Sequence, residues 1–132
     1  MTNEEKLGMS LESLGHRLEE EGMHFGIWIE PEMVNEDSAL YRAHPDYALQ
    51  IPGESPIRSR SQLVLDFSRK EVVDAVLESL ISCFRSVPLS YIKMDMNRSI
   101  MDVYSHGVNF QGRGKILHRY CLGLYRFLSG LK

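Results

Sequence analysis

Two short apolar runs bracket a helical stripe in the middle of this chain, and that arrangement limits the fold more than any other feature. Leu63-Val64-Leu65-Asp66-Phe67 and the run opening at Tyr91 read as strands. Between them Val72, Val73, Val76, Leu77, Leu80, Ile81 and Phe84 recur at helical spacing. Ser68, with Glu71 three residues on, is a capping-box signature for the start of that helix, and Pro88 marks its exit. Strand, helix and strand in this order predict a βαβ unit built on a parallel sheet. Upstream, Leu11, Leu14 and Leu18 predict a helix closed by Gly22, and Phe25 to Ile29 predict a further strand. Downstream, Leu117, Tyr120, Cys121, Leu124, Tyr125 and Leu128 predict a last helix. The expectation is an α/β fold of about three consecutive βα units. A closed (β/α)8 barrel takes eight strands and typically ~250 residues, so 132 residues make either a small open domain or a piece of a barrel. Residues 1–10 read as a polar amino-terminal segment and residues 11–132 as the folded part.

The stretch from Pro31 to about Arg60 holds four of the five prolines. It is too long for an idle connection and predicts a working loop with short helical turns. A net charge of -3, with no basic tract, argues against a nucleic-acid surface. The opening residues lack the apolar core of a signal peptide, and no apolar run is long enough to span a bilayer. Cys83 and Cys121 lie far apart in apolar helical patterns, which predicts buried thiols. These features together predict a cytoplasmic protein. The five histidines show no metal-ligand spacing, and nothing in the chain calls for a cofactor.

The run Tyr91-Ile92-Lys93-Met94-Asp95-Met96-Asn97-Arg98 carries the strongest chemical signal. Strand side chains alternate, so Tyr91, Lys93 and Asp95 share one face while Ile92 and Met94 share the other. A lysine and an aspartate on a buried strand face are costly unless they pair or serve a ligand. A carboxylate at the C-terminal end of a barrel strand sits where substrates are processed. The neighbouring lysine favours its ionised form, which suits a nucleophile rather than a general acid. Asn97 and Arg98 then line the mouth beyond it. Trp28, the only tryptophan, shares a strand face with Gly26 and Glu30, where it offers a flat surface for a sugar ring or fills a core. Arg58, Arg60 and Arg69 read as solvated cations, and Asp66 as a carboxylate bonding loop amides.

Several longer motifs go further. Phe25-Gly26-Ile27-Trp28-Ile29-Glu30-Pro31-Glu32-Met33-Val34 strongly resembles the FG-x-W-x-EPEMV signature of bacterial α-galactosidases in glycoside hydrolase family 36. The resemblance runs on through Asp37-Ser38, Leu40-Tyr41-Arg42 and His44-Pro45-Asp46. It resumes at Arg60 to Arg69 and at Tyr91 to Arg98, and ends in His118-Arg119-Tyr120 with Gly123-Leu124-Tyr125. It covers nearly everything from Leu11 onward. It implies a partial (β/α)8 barrel and a retaining mechanism releasing α-linked galactose from oligosaccharides such as raffinose and melibiose. Carried over residue by residue, Asp95 matches the catalytic nucleophile and Lys93 a lysine that binds sugar hydroxyls. Trp28 and Arg60 match residues lining the galactose pocket, and Asn97 matches a substrate contact. The resemblance implies no metal and no cofactor, and a homo-oligomeric full-length enzyme.

Two positions depart from the pattern: Met94 stands where the family often has tryptophan, and Tyr47 replaces another aromatic. A retaining glycosidase also needs a second carboxyl group ~5–5.5 Å from the nucleophile. The resemblance places that acid beyond Lys132, and paired sugar-binding aspartates before Met1, so Glu30, Glu32 and Asp66 are not promoted to its role. The chain is thus expected to be a fragment, inactive alone. Two competing readings follow: a non-catalytic remnant that binds sugar weakly or packs against a partner, and a transglycosylase of the raffinose-synthase type.

Overall fold

The computed structural model describes residues 3–132; Met1 and Thr2 of the polar amino-terminal segment lie outside the described residues. The chain divides into two compact units, one within residues 3–30 and 78–95, the other within 31–77 and 96–132. Each is described by itself.

The first unit opens with a single helical turn, α1 (Glu4–Leu7), and helix α2 (Leu11–Glu20). Ser10 caps α2 by accepting from the Ser13 amide at 3.1 Å. Gly22 closes it as expected. With φ +73 it lets its own amide reach the Glu19 carbonyl at 2.9 Å and the Met23 amide reach Leu18 at 2.8 Å, the paired bonds of a Schellman motif. Strand β1 (Gly26–Ile29) runs parallel to a second strand that begins at Tyr91 and ends at Met94, with Gly26 opposite Tyr91 and Trp28 opposite Lys93. That parallel pair bears out the α/β expectation. Its faces alternate between exposed and half-buried, however, so the strand anticipated as buried is not. A parallel sheet needs cover on both faces, and the buried apolar side chains among the described residues all belong to the other unit.

In the second unit, strand β2 (Met33–Val34) is followed by helix α3 (Ala39–Ala43) and a 3-10 turn at Pro45–Tyr47, the short helical turns expected of that loop. Strand β3 (Leu63–Val64) corrects the sequence reading. It pairs antiparallel with β2, Leu65 donates to the Glu32 carbonyl at 2.9 Å, and Asp66 donates to the Tyr47 carbonyl at 2.7 Å. The run from Leu63 to Phe67 is a core strand as its apolarity demanded, but its neighbours come from the preceding loop rather than from a parallel sheet.

Helix α4 (Lys70–Phe84) buries Val72, Val73 and Val76 against this core. The capping box is displaced at its start. The Ser68 amide and hydroxyl both donate to Asp66 Oδ1, at 3.1 and 2.5 Å, and Glu71 turns to accept from Arg69 at 2.8 Å. Asp66 thereby takes the loop-bonding role expected of it. The chain then forms β4 (Tyr91–Met94), the partner of β1 in the first unit, and returns to the second unit for a 3-10 turn at Phe110–Lys115 and helix α5 (Ile116–Gly130). Phe67 anchors the second core, its ring 5.6 Å from Phe127 and 5.7 Å from Tyr120. Cys83 and Cys121 are both exposed, against the expectation of buried thiols. Cys121 lies about a third of a turn from the line of Ile116, Tyr120 and Phe127, whereas Cys83 continues the line of Val72 and Val76 past the buried part of α4, distinctions periodicity alone does not make.

Candidate active site

Parallel pairing in register sets Trp28 of β1 beside Lys93 of β4 on one sheet face. Asp95, one residue past β4, continues the ladder by donating its amide to the Ile29 carbonyl at 3.1 Å. The three side chains meet. The Trp28 indole donates from Nε1 to Asp95 Oδ2 at 3.3 Å, and Lys93 Nζ stands 3.8 Å from the same oxygen. Trp28 is 45% exposed in this chain. The Lys93 and Asp95 side chains are 57% and 36% exposed. An ion pair so open to water contributes roughly 0–1 kcal/mol. Chemically the cluster offers a carboxylate held from one side, a cation and a flat apolar ring, all open to a ligand.

Arg60 and Asn97 belong to the other unit, and both are exposed there. Arg60 sits at the tip of a tight turn in which Ser59 and Gln62 exchange backbone hydrogen bonds at 3.3 and 3.0 Å. The remaining arginines correct the expectation of solvated cations. Arg58 grips Glu36 with two bonds, at 2.5 and 2.9 Å, and holds that carboxyl below its usual range. Arg69, 13% exposed, bonds Asp46 and Glu71 and lies 5.3 Å from the centre of the Tyr47 ring. The Arg98 guanidinium donates to the Gln62 and Ile57 carbonyls at 2.6 and 2.9 Å. Apart from Glu71, two residues from Arg69, these partners lie far away in sequence, beyond the reach of local pattern.

One pair escaped the sequence reading altogether. The Tyr120 hydroxyl donates to Glu32 Oε1 at 2.8 Å with both residues buried, joining two of the motifs quoted above. Burial raises the Glu32 carboxyl above its ordinary value, and the Tyr120 bond partly offsets this. Burial and the nearby carboxylate push the Tyr120 phenol far upward. Because the folded carboxyl of Glu32 holds its proton more tightly than the unfolded one, its contribution to stability is full below about pH 4.5 and is lost as pH climbs through the raised value. Glu32→Gln is therefore expected to flatten the fall in stability above that pH in urea unfolding curves. Tyr120→Phe is expected to steepen it and to cost about 1–3 kcal/mol near neutrality. A Tyr120→Phe curve that matches the parent at every pH would refute the coupling.

With this geometry in place, comparison with known proteins is specific. A family model described as Melibiase matches residues 1–132. The bifunctional α-galactosidase/sucrose kinase AgaSK of Mediterraneibacter gnavus is 53% identical over 129 residues, which is 98% of this chain and 13% of that protein. The crystal structure of the GH36 α-galactosidase AgaB from Geobacillus stearothermophilus superposes with a TM-score of 0.94 at 40% identity, over 99% of this chain and 18% of that one. A variant of AgaA from the same organism, solved in complex with raffinose, superposes with a TM-score of 0.87 at 41% identity, over 91% of this chain and 17% of that one. The chain thus spans less than a fifth of the length of each of these three relatives. Its α/β architecture is that of a partial (β/α)8 barrel. By sequence and by structure alike, the chain belongs to the melibiase family.

Proposed function

We propose that this chain is the nucleophile-bearing segment of a longer retaining α-galactosidase, which releases terminal α-linked galactose from oligosaccharides such as raffinose and melibiose. The observation that carries this reading is the meeting of Trp28, Lys93 and Asp95 on one exposed sheet face at the end of β4. Asp95 attacks the anomeric carbon; the glycosidic carbon–oxygen bond breaks, and its electron pair leaves on the aglycone oxygen. A carboxylic acid from outside this chain gives that oxygen its proton and then activates the water that frees the galactose. Trp28 supplies a stacking surface, with its indole N–H fixing one oxygen of Asp95, while Lys93 donates to sugar hydroxyls. Arg60 and Asn97 are assigned to sugar contacts on their motifs alone. Residues 11–132 then form the barrel segment, with residues 1–10 a polar lead-in. The reading includes a cytoplasmic, homo-oligomeric full-length enzyme. Among the described residues no helix is long and apolar enough to cross a membrane.

A fluorinated α-galactosyl donor with an activated leaving group tests the assignment, because its glycosyl-enzyme forms faster than it hydrolyses. After tryptic digestion, the peptide Met94 to Arg98 is expected to carry the sugar on Asp95. Label on any other carboxylate would overturn the assignment.

A further inference from the structure

The turn that carries Arg60 is built from residues that do not favour it. Arg60 and Ser61 both have positive φ, +55 and +59, at the two central positions of the Ser59–Gln62 hairpin. A two-residue turn of that kind prefers Asn-Gly or Gly-Gly, because side chains with a Cβ resist the left-handed region. A conformation of this sort persists only where the surroundings over-determine it.

The surroundings do so from one direction in particular. Arg98 donates from Nη1 to the Gln62 carbonyl at 2.6 Å and from Nη2 to the Ile57 carbonyl at 2.9 Å, so one planar fork spans the two shoulders of the turn. Four residues on, the buried Asp102 carboxylate accepts the Ile57 amide at 2.7 Å. Asn35 donates to the Ser61 carbonyl at 3.2 Å. Charge-assisted bonds to carbonyl oxygens are among the stronger contacts a loop can have. We infer that Arg98 is a positioning residue: its guanidinium fork clamps the strained Ser59–Gln62 turn and thereby fixes where the Arg60 side chain projects. In the chain Arg98 follows Asp95 by three residues, so one short segment supplies both the proposed nucleophile and the clamp. A lysine is no substitute, since its donors all sit on one nitrogen, whereas the two carbonyls are reached from the separate Nη1 and Nη2 of a planar guanidinium.

The inference rests on the galactosidase reading only for its consequence in catalysis, and the test keeps the two apart. In the full-length enzyme, hydrogen exchange of the peptide containing Gln62 reports the turn with no substrate present, because the Gln62 amide donates across it to Ser59. R98Q is expected to speed that exchange about tenfold. Ser61→Gly, which accepts positive φ at no steric cost, is expected to restore much of the protection in the R98Q background. Unchanged exchange in R98Q overturns the clamp. Kinetics on an aryl α-galactoside then read the consequence. R98Q is expected to lower kcat/KM about tenfold, with the same division between KM and kcat as R60Q. The R60Q/R98Q double variant should be no worse than R60Q, and Ser61→Gly should recover at least about threefold in R98Q. If Arg98 only supported the fold, its loss would lower the amount of active enzyme at constant KM, add to R60Q, and ignore Ser61→Gly. R98K carries the same comparisons if R98Q does not fold, and it is expected to behave as a clamp-deficient variant. An unmutated enzyme that releases no galactose sinks the galactosidase reading while leaving the exchange result to decide the clamp.

Discussion

Asp95→Asn, made in the longer α-galactosidase proposed above, is expected to lower galactose release at least about a thousandfold while leaving the fold intact. The substitution keeps the size of the side chain and an oxygen that can still accept from the Trp28 indole, 3.3 Å from Asp95 Oδ2. It removes the anion that would bond to the anomeric carbon. The partner left behind costs little, because Lys93 lies 3.8 Å away and more than half exposed, where water replaces the lost charge. Stability should therefore stay within about 0.5 kcal/mol, the range of ordinary surface changes. That contrast separates chemistry from folding. Asp95→Gly sharpens it, since azide can enter the vacated space. Its lone pair forms the carbon–nitrogen bond as the aryl oxygen departs with its electrons, and the product is the β-galactosyl azide. Attack from the face that Asp95 occupied is the only route to that anomer in one displacement. An Asp95→Asn enzyme with more than a tenth of the parent rate, or an α-azide product, would remove Asp95 from the nucleophile's place.

The face that holds this site was legible because strand alternation leaves little choice. Once β1 and β4 exist, Trp28 and Lys93 must share a side, and parallel register sets them opposite each other. Gly22 was legible for a similar reason, as a glycine just past a helical stripe has few other uses. The strand at Leu63 was not. Leu63, Val64 and Leu65 are all buried, and a run with no exposed face looks the same whether its neighbours are parallel strands or a folded-back loop. The pairings of Arg58 with Glu36 and of Arg69 with Asp46 were missed because those partners lie outside the windows in which charge patterns speak. Trp28, Lys93 and Asp95 drew attention by local spacing; Arg60 and Asn97 drew it only through motif resemblance.

Helix α5 shows the limit of periodicity most clearly. The stripe expected to pack was Leu117, Tyr120, Cys121, Leu124, Tyr125 and Leu128, yet Leu117, Cys121, Tyr125 and Leu128 are exposed and the buried positions are Ile116, Tyr120 and Phe127. Apolar residues cover more than one face of this helix, so spacing finds the helix without choosing a side. The glycines choose it. Gly123 and Gly130 continue the line of Ile116, Tyr120 and Phe127, and only that face lets another segment come close.

Gly123→Ala should consequently be among the most destabilising single changes in the chain, at about 3 kcal/mol or more. A Cβ there would stand 1.8 Å from the Phe67 carbonyl oxygen and 2.9 Å from its carbon, both backbone atoms in a fully buried residue. Phe67 has no freedom to retreat, because Asp66 before it is tied to Ser68 and its own ring packs between Tyr120 and Phe127. Helix α5 would have to move away and separate those rings. Intrinsic helix propensity pulls the other way, favouring alanine by about 1 kcal/mol, so the sign of the result tells which effect wins. Two sister variants calibrate it. Gly130→Ala meets Leu77 Cδ2 at 2.2 Å, the tip of a side chain that can rotate, and should cost under about 1.5 kcal/mol. Gly114→Ala meets nothing within 4 Å and should stabilise by about 0.4–1 kcal/mol. Urea unfolding midpoints of the three variants give the ordering directly. If Gly123→Ala proves as mild as Gly130→Ala, the close approach of α5 to the Phe67 carbonyl does not hold the helix in place, and the glycine face loses its claim to have chosen the side that packs.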